Sequence, residues 1–252
     1  MFEAFNQYFD KIYIVTLEGY EDRHKSIEKY MAGLDYTLWW GTDKRKLPQD
    51  ILQDTAFYDD AAHRHTKRTT RSMNLGELGC ADSHRRIYQD AVENQYRRVA
   101  IFEDDAVPNP KVLANFAQQM ATLPQDWDTV IFDYYDAHFE DFKGKLKQAT
   151  YKMFHKLHIA NWHKVPVELI DQMLMRDFNQ YFYLSGRFSG SHAYAVSLNA
   201  AKKYLAYQTP IKLQADRIFY YHKSSFPLHN FACKEPMFLQ GEVAQQSTIQ
   251  FR

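Results

Sequence analysis

The chain has 252 residues, of which 45% are hydrophobic and 25% charged, with 31 basic side chains against 31 acidic. That length suits one large α/β domain or at most two small ones, and the composition excludes a disordered chain. A formal charge of zero argues against broad electrostatic binding to nucleic acid.

The opening MFEAFNQYFDKIYIVTL has early acidic residues and no apolar run ending at a small-residue cleavage site, so no signal peptide is expected. Ile12 to Leu17 is rich in β-branched residues and reads as a buried strand. Ile27, Tyr30, Met31 and Leu34 then recur at helical spacing, and Tyr36 to Trp40 reads as a second strand before Gly41-Thr42-Asp43. This β-α-β pattern predicts a sheet with crossover helices. From Lys44 to Arg71 the pattern weakens into a polar loop whose basic end (His63, Arg64, His65, Lys67, Arg68, Arg71) is either solvated or set to meet phosphate.

Asn74 followed by Glu77 predicts a capping box for the next helix, with Met73 and Leu78 as its hydrophobic staple. Cys80, His84, Ile87 and Ala91, spaced four, three and four apart, fall on one face of it. Arg98 to Phe102 predicts a central strand that ends in Glu103-Asp104-Asp105, where Pro108 and Pro110 stop it continuing. Asn115 to Leu123 suits a helix, Thr129 to Phe132 a strand closing at Asp133, Ser191 to Ser197 a strand, and Ala200 to Tyr207 a helix. A last helical stretch contains Asp216. The region from Tyr135 to Gln180 mixes lysines, aromatics and histidines, and reads as a helical insertion over the site or a membrane-facing patch. With no repeat or linker, one domain over 1–252 is expected, with an insertion or acceptor-side segment at about 135–187. Cys80 and Cys233 are far apart and in no metal-like spacing, so a reduced compartment is expected. No stretch approaches the roughly 18 apolar residues of a spanning helix, which predicts a soluble or peripheral protein.

Three adjacent carboxylates at a strand end repel one another and raise each other's pKa unless a cation compensates. Ligands of open α/β sheets bind at that carboxyl edge, and a hard divalent ion takes one or two carboxylates and completes its shell with diphosphate oxygens and water. Along an extended chain Glu103 and Asp105 point to one side and Asp104 to the other. The expected metal contact is mainly Asp105, with Glu103 or Asp104 acting through water or a sugar.

The run Asn74-Leu-Gly-Glu-Leu-Gly-Cys-Ala-Asp-Ser-His84, followed by Val99-Ala-Ile-Phe-Glu-Asp-Asp-Ala-Val-Pro108, resembles glycosyltransferase family 25. These are lipooligosaccharide galactosyltransferases of Gram-negative bacteria and related collagen galactosyltransferases. Further matches run in family order: Ile14 to Leu17 with Arg23, Leu123-Pro-Gln-Asp-Trp-Asp128, Gly190-Ser-His-Ala-Tyr-Ala-Val-Ser197, Asp216 and Ser247-Thr-Ile249. The sequence departs from the family at Glu18-Gly-Tyr-Glu-Asp-Arg23, which is poorer in arginine, and at Asp82, which replaces an apolar residue.

The resemblance implies a GT-A type α/β fold with a Rossmann-like mixed, mostly parallel central sheet flanked by helices. It also implies transfer of a sugar, galactose first, from a UDP-sugar with inversion. The acceptor is expected to be a saccharide or glycolipid of bacterial lipooligosaccharide, at the cytoplasmic face of the inner membrane. Mn²⁺ is the expected cofactor, with Mg²⁺ as the alternative. Asp216 matches the family's later Asp and is the first candidate for general base, with Asp133 in reserve. Thr16, Leu17 and Arg23 are expected to meet the uridine or diphosphate. Ser83 and His84 lie near the donor, His84 chiefly as a residue holding the strand end. Gly190 and Ser191 allow close backbone approach to the donor. A late histidine, His229 or His222, is expected to complete the metal shell, with Asp105 and Glu103. Two other readings stay open: a metal-dependent nucleotidyl or phosphoryl transferase, and a catalytically silent sugar-binding relative.

Overall fold

The computed structural model describes residues 1–66 and 71–241. Its strands are β1 (Lys11–Thr16), β2 (Thr37–Trp40), β3 (Arg98–Glu103), β4 (Ala106–Pro108), β5 (Thr129–Ile131), β6 (Arg176–Asp177), β7 (Phe182–Leu184), β8 (Ala193–Ser197), β9 (Asn230–Cys233) and β10 (Phe238–Gln240). The helices are α1 (Glu3–Tyr8), α2 (Glu21–Tyr30), α3 (Asp60–Thr66), α4 (Leu75–Glu93), α5 (Pro110–Leu113), α6 (Phe116–Met120), α7 (Phe142–Lys156), α8 (Val167–Asp171), α9 (Leu198–Tyr207) and α10 (Ile218–Tyr221).

Eight strands form one sheet in the order β2-β1-β3-β8-β5-β9-β7-β6, and β10 pairs with β4 in a separate ribbon. The sheet is mixed and mostly parallel, as expected, with β8 and β7 reversed among the eight strands. β8 runs antiparallel to both β3 and β5, and β7 runs antiparallel to β9 and β6. An apolar run specifies a buried strand and carries no direction, so the sequence pattern was blind to these reversals.

Alternation along the strands divides the core in two. Ile12, Ile14, Ala100, Phe102, Val130, Ala193, Ala195 and Phe231 face one side, where α1, α2, α5 and α6 cover them. Tyr13, Val99, Ile101, Ile131, Tyr194, Val196 and Ala232 face the other, under α4, α8, α9 and α10. The result is a helix–sheet–helix sandwich. No helix was expected at α1, yet Phe2, Phe5 and Phe9 are buried there, with Phe5 against Phe102, Phe116 and Phe132. The segment from Tyr135 to Arg187 is not separate from the sheet: it supplies β6 and β7 at its far edge as well as α7 and α8. Asp216 sits in the turn before α10 rather than within a helix.

The start of α4 follows the predicted box. The Asn74 side chain accepts from the Glu77 N–H at 2.9 Å, and Glu77 Oε2 accepts from the Asn74 N–H at 2.9 Å. Met73 and Leu78 are buried together with Tyr58, Ala81 and Ile211. Arg71 donates to both Glu77 oxygens at 2.7 Å, and Gln214 adds a third donor at 3.1 Å. Burial opposes ionisation of Glu77, but these donors outweigh it and hold the carboxyl down at about 2. Its stabilisation is therefore complete above about pH 4.5 and is lost as pH falls through about 2. Because Arg71 is half exposed, the lower part of the range applies. Glu77→Gln is expected to cost about 1–2 kcal/mol at neutral pH by denaturant unfolding. The gap to the parent chain should close between pH 4.5 and 2; a gap unchanged at pH 2 would contradict the assignment.

Candidate active site

Strand alternation places three groups side by side on the face covered by α4. Glu103 follows Val99 and Ile101 on that face of β3, Asp133 follows Ile131 from β5, and His192 precedes Tyr194 and Val196 on β8. Since β8 lies between β3 and β5, His192 stands between the two carboxylates. The backbone bonds Glu103 N–H to His192 O (2.8 Å) and Phe132 N–H to Ala193 O (3.0 Å) fix that register. His192 Nε2 lies 3.1 Å from Asp133 Oδ2, and its ring stacks on Tyr135 at 5.5 Å. Burial lowers the His192 pKa, but Asp133, Glu103 and Asp105 together raise it above the ordinary histidine value. His192 had no role in the sequence reading; its place directly ahead of Ala193, in step with Tyr194 and Val196, was the available signal.

The acidic triplet splits three ways, because β3 ends at Glu103 and the chain then turns. Glu103 Oε1 accepts from the Ser191 hydroxyl at 2.7 Å. Asp104 is buried in an ion pair with Arg23 and accepts from the Thr16 hydroxyl at 2.8 Å. Burial raises the Asp104 carboxyl above its ordinary value despite both partners. Asp105, 5% exposed, turns toward the β4–β10 ribbon, where Gln240 Nε2 donates to Oδ2 at 2.8 Å. Its Oδ1 is buried and has no partner among the described residues. The expectation that Glu103 and Asp105 share one side fails, since strand alternation does not extend into a turn.

Two glycines let the turn after β2 lie on α4. A Cβ at Gly79 would stand 2.5 Å from Thr42 O, and one at Gly41 would stand 3.0 Å from Ser83 Oγ. Ser83 is occupied structurally: its Oγ accepts from the Thr42 N–H at 2.8 Å and donates to Gly79 O. The departure at Asp82 is accommodated, since its buried carboxylate accepts from Thr42 Oγ1 and from Arg85. His84 is 1% exposed, with Nδ1 2.7 Å from the Tyr194 hydroxyl and Nε2 3.8 Å from Glu103 Oε1. Burial lowers its pKa to about 4.

Two cavities meet at Cys80, which lines both. The first is bounded by Thr16, Leu17, Tyr20, Arg23, Lys44, Ser83, His84, Glu103 and Asp104. The second, about 330 Å³, is bounded by Arg71, Glu77, Tyr135, Ser191, Asp216 and Arg217 among others. The structure thus brings together Thr16, Leu17, Arg23, Ser83, His84, Glu103 and Asp104 around one cavity, with Ser191 and Asp216 beside it. Asp216 Oδ2 accepts from the Gly190 N–H at 3.2 Å, and Arg217 Nε lies 3.7 Å from Oδ1. Gly190 has φ +108°, and a Cβ there would meet the Tyr135 ring at 3.0 Å.

The late histidines are elsewhere. His229 precedes β9, whose Asn230 pairs with Thr129 at the opposite end of the sheet, and it contacts exposed Asp126 at 3.2 Å. His222 is buried, bonded to Asn230 and the Phe226 carbonyl. Neither can join Asp105 or Glu103 at a metal. Of the basic loop, His63 is buried against the Lys212 carbonyl and Arg64 pairs with Asp60, while Lys67 and Arg68 lie outside the described residues. Ser247 to Ile249 also lie outside them.

Comparison with known proteins bears on this geometry. Residues 9–219 match the family described as Glycosyltransferase family 25 (LPS biosynthesis protein). A "Glycosyltransferase 25 family member" of Drosophila pseudoobscura pseudoobscura is 30% identical over 132 residues, covering 49% of this chain and 20% of that protein. A protein of the same description from Aedes aegypti is 31% identical over 130 residues, covering 48% of this chain and 20% of its own length. "Procollagen galactosyltransferase 1-A" of Xenopus laevis is 26% identical over 132 residues, covering 48% and 21%. The matched region is about a fifth of each of these relatives. Since the family match takes in α2, α4, the acidic triplet and Asp216, the chain belongs to glycosyltransferase family 25.

Proposed function

We propose that this chain is an inverting glycosyltransferase that moves a sugar, galactose first, from a UDP-sugar to a saccharide acceptor. The observation that carries this reading is the pair of cavities joined at Cys80: one holds Arg23 and Lys44, the other Asp216. The first, where Arg23 and Lys44 stand with the Glu103 and Asp104 carboxylates, suits a diphosphate carried with a cation, and the second, with Asp216, suits an acceptor hydroxyl. Family membership and the galactosyltransferase name of one relative support it.

In this reading Asp216 takes the proton of the acceptor hydroxyl as its oxygen attacks the anomeric carbon. The bond to the diphosphate breaks, and its electron pair leaves with UDP. The Gly190 N–H and Arg217 hold the Asp216 carboxylate in place. Asp133 remains the reserve base, although its Oδ2 contacts His192. Thr16 and Arg23 fix Asp104 at the donor cavity, while Ser191 orients Glu103. A divalent ion, Mn²⁺ before Mg²⁺, fits Asp105 Oδ1, which has no partner among the described residues, with Glu103 contributing indirectly. When bound, it would neutralise charge on the departing diphosphate.

For the acceptor we propose a lipid-linked saccharide, reached from the cytoplasmic surface of a membrane. No helix among the described residues is long and apolar enough to cross a membrane. Instead α7 and its end present Phe142, Leu146, Met153 and Leu157 on one side, 82%, 59%, 49% and 60% exposed. Lys143, Lys145, Lys147, Lys152 and Lys156 flank that stripe. On the opposite side Gly144 sits so close to the body that a Cβ would strike the Phe139 carbonyl, so the stripe is held facing outward. An apolar stripe between lysines is suited to an anionic lipid surface.

Three outcomes test the reading. UDP-galactose with Mn²⁺ is expected to raise the melting temperature, and EDTA to remove the shift; no shift with any UDP-sugar would overturn it. Asp216→Asn is expected to lower kcat about 100-fold or more with an unchanged melting temperature. Full activity in that variant would remove Asp216 as base. Sedimentation with phosphatidylglycerol vesicles, and not with phosphatidylcholine alone, is expected for the full chain. Phe142→Ser with Leu146→Ser should weaken it about tenfold or more, and equal binding by this variant would exclude the stripe.

A further inference from the structure

We infer that Cys80, His84 and Glu103 form a transition-metal site, zinc in chemical class, in the wall between the two cavities. It is distinct from the hard-ion position at Asp105. Cys80 and His84 are four residues apart on one face of α4, and Glu103 reaches them from the end of β3. One ligand atom from each, a sulfur, an imidazole nitrogen and a carboxylate oxygen, all lie within 4.8 Å of one another.

The second observation is His84 itself. Its Nδ1 is engaged by Tyr194, and its Nε2 is buried with no hydrogen-bond partner among the described residues. Buried polar atoms are nearly always satisfied, so an unpartnered imidazole nitrogen 3.8 Å from a carboxylate calls for an occupant. With Nδ1–H donating to the Tyr194 oxygen, Nε2 presents a lone pair toward Cys80 and Glu103.

The surroundings match those of a metal centre. Tyr194 orients the imidazole and the Ser191 hydroxyl orients Glu103, the outer-shell support that fixes metal ligands. Cys80 is half-buried and lines both cavities, which leaves a fourth position open toward them. A thiolate–imidazole–carboxylate set selects zinc over magnesium or calcium, which prefer all-oxygen shells. Binding converts the Cys80 thiol to a metal-bound thiolate and releases its proton to solvent, with no change of oxidation state. Glu103 then belongs to this site, and Asp105 remains for an ion on a diphosphate.

The test uses the full chain stripped of metal and titrated with Co²⁺, and it is independent of sugar transfer. A near-ultraviolet thiolate-to-cobalt charge-transfer band with visible tetrahedral bands is expected, displaced by one equivalent of Zn²⁺. The chain has only two cysteines, so Cys233→Ser should retain the band and Cys80→Ser should abolish it. Asp105→Asn should retain it, which separates this site from the proposed donor ion. Ser191→Ala should weaken Zn²⁺ affinity roughly tenfold. If Cys80→Ser fails to fold, protection of Cys80 from alkylation by Zn²⁺ in the parent chain gives the same answer. Cobalt binding without a charge-transfer band, a band that survives in folded Cys80→Ser, or no protection would each overturn the site.

Discussion

Between β3 and β5 the sheet holds β8 running in the opposite sense, and the groups that meet at the sheet edge follow from that reversal. With β3 and β5 adjacent, Glu103 and Asp133 would face each other as like charges at the end of a parallel pair. With β8 between them, the start of a reversed strand delivers His192 into the gap, and Gly190 and Ser191 arrive with it. The row becomes carboxylate, imidazole, carboxylate, so the repulsion is relieved by a group that can carry positive charge. The same strand brings Tyr194 beneath α4, where its hydroxyl fixes the His84 ring.

The other acidic residues near the site have partners that differ in kind. Arg23 compensates Asp104, Arg71 compensates Glu77, and Arg85 compensates Asp82. These carboxylates are structural: each ties a loop or helix end to its neighbour. Asp105 instead receives a neutral amide from Gln240 and keeps one oxygen unpartnered among the described residues. Glu103 receives a hydroxyl from Ser191 and faces a neutral imidazole. Asp105, whose one oxygen finds no partner among the described residues, is the carboxylate most disposed toward a cation from solution.

Much of this was legible in the residues themselves. The capping box at Asn74 and Glu77, the strand ending at Glu103, and the helix face shared by Cys80 and His84 follow from local spacing, and the structure has all three. Strand direction was not legible, because burial on both faces leaves the same apolar run either way. So the neighbours of Glu103 were hidden: they arrive about ninety residues later in the chain. His229 was misplaced for a related reason. The implied fold type suggests a late histidine at the metal, but which end of a sheet a histidine occupies is decided by pairing, here Asn230 beside Thr129. The divergence of the triplet was also out of reach, since alternation holds only while the backbone stays extended.

One small contact has a wider consequence. Tyr135 and Ser189 exchange backbone hydrogen bonds of 2.9 and 2.8 Å, which clasps the chain just after Asp133 and just before Gly190. Everything between, including α7 and its exposed stripe, leaves and returns through this clasp. The entropy of closing a loop grows only with the logarithm of its length, so doubling it adds about 0.6 kcal/mol. Length in this stretch is therefore cheap to vary, provided β6 and β7 keep their places at the far edge and Leu169, Ile170 and Met173 stay packed in the core. Relatives can diverge there without moving the residues on either side of the clasp.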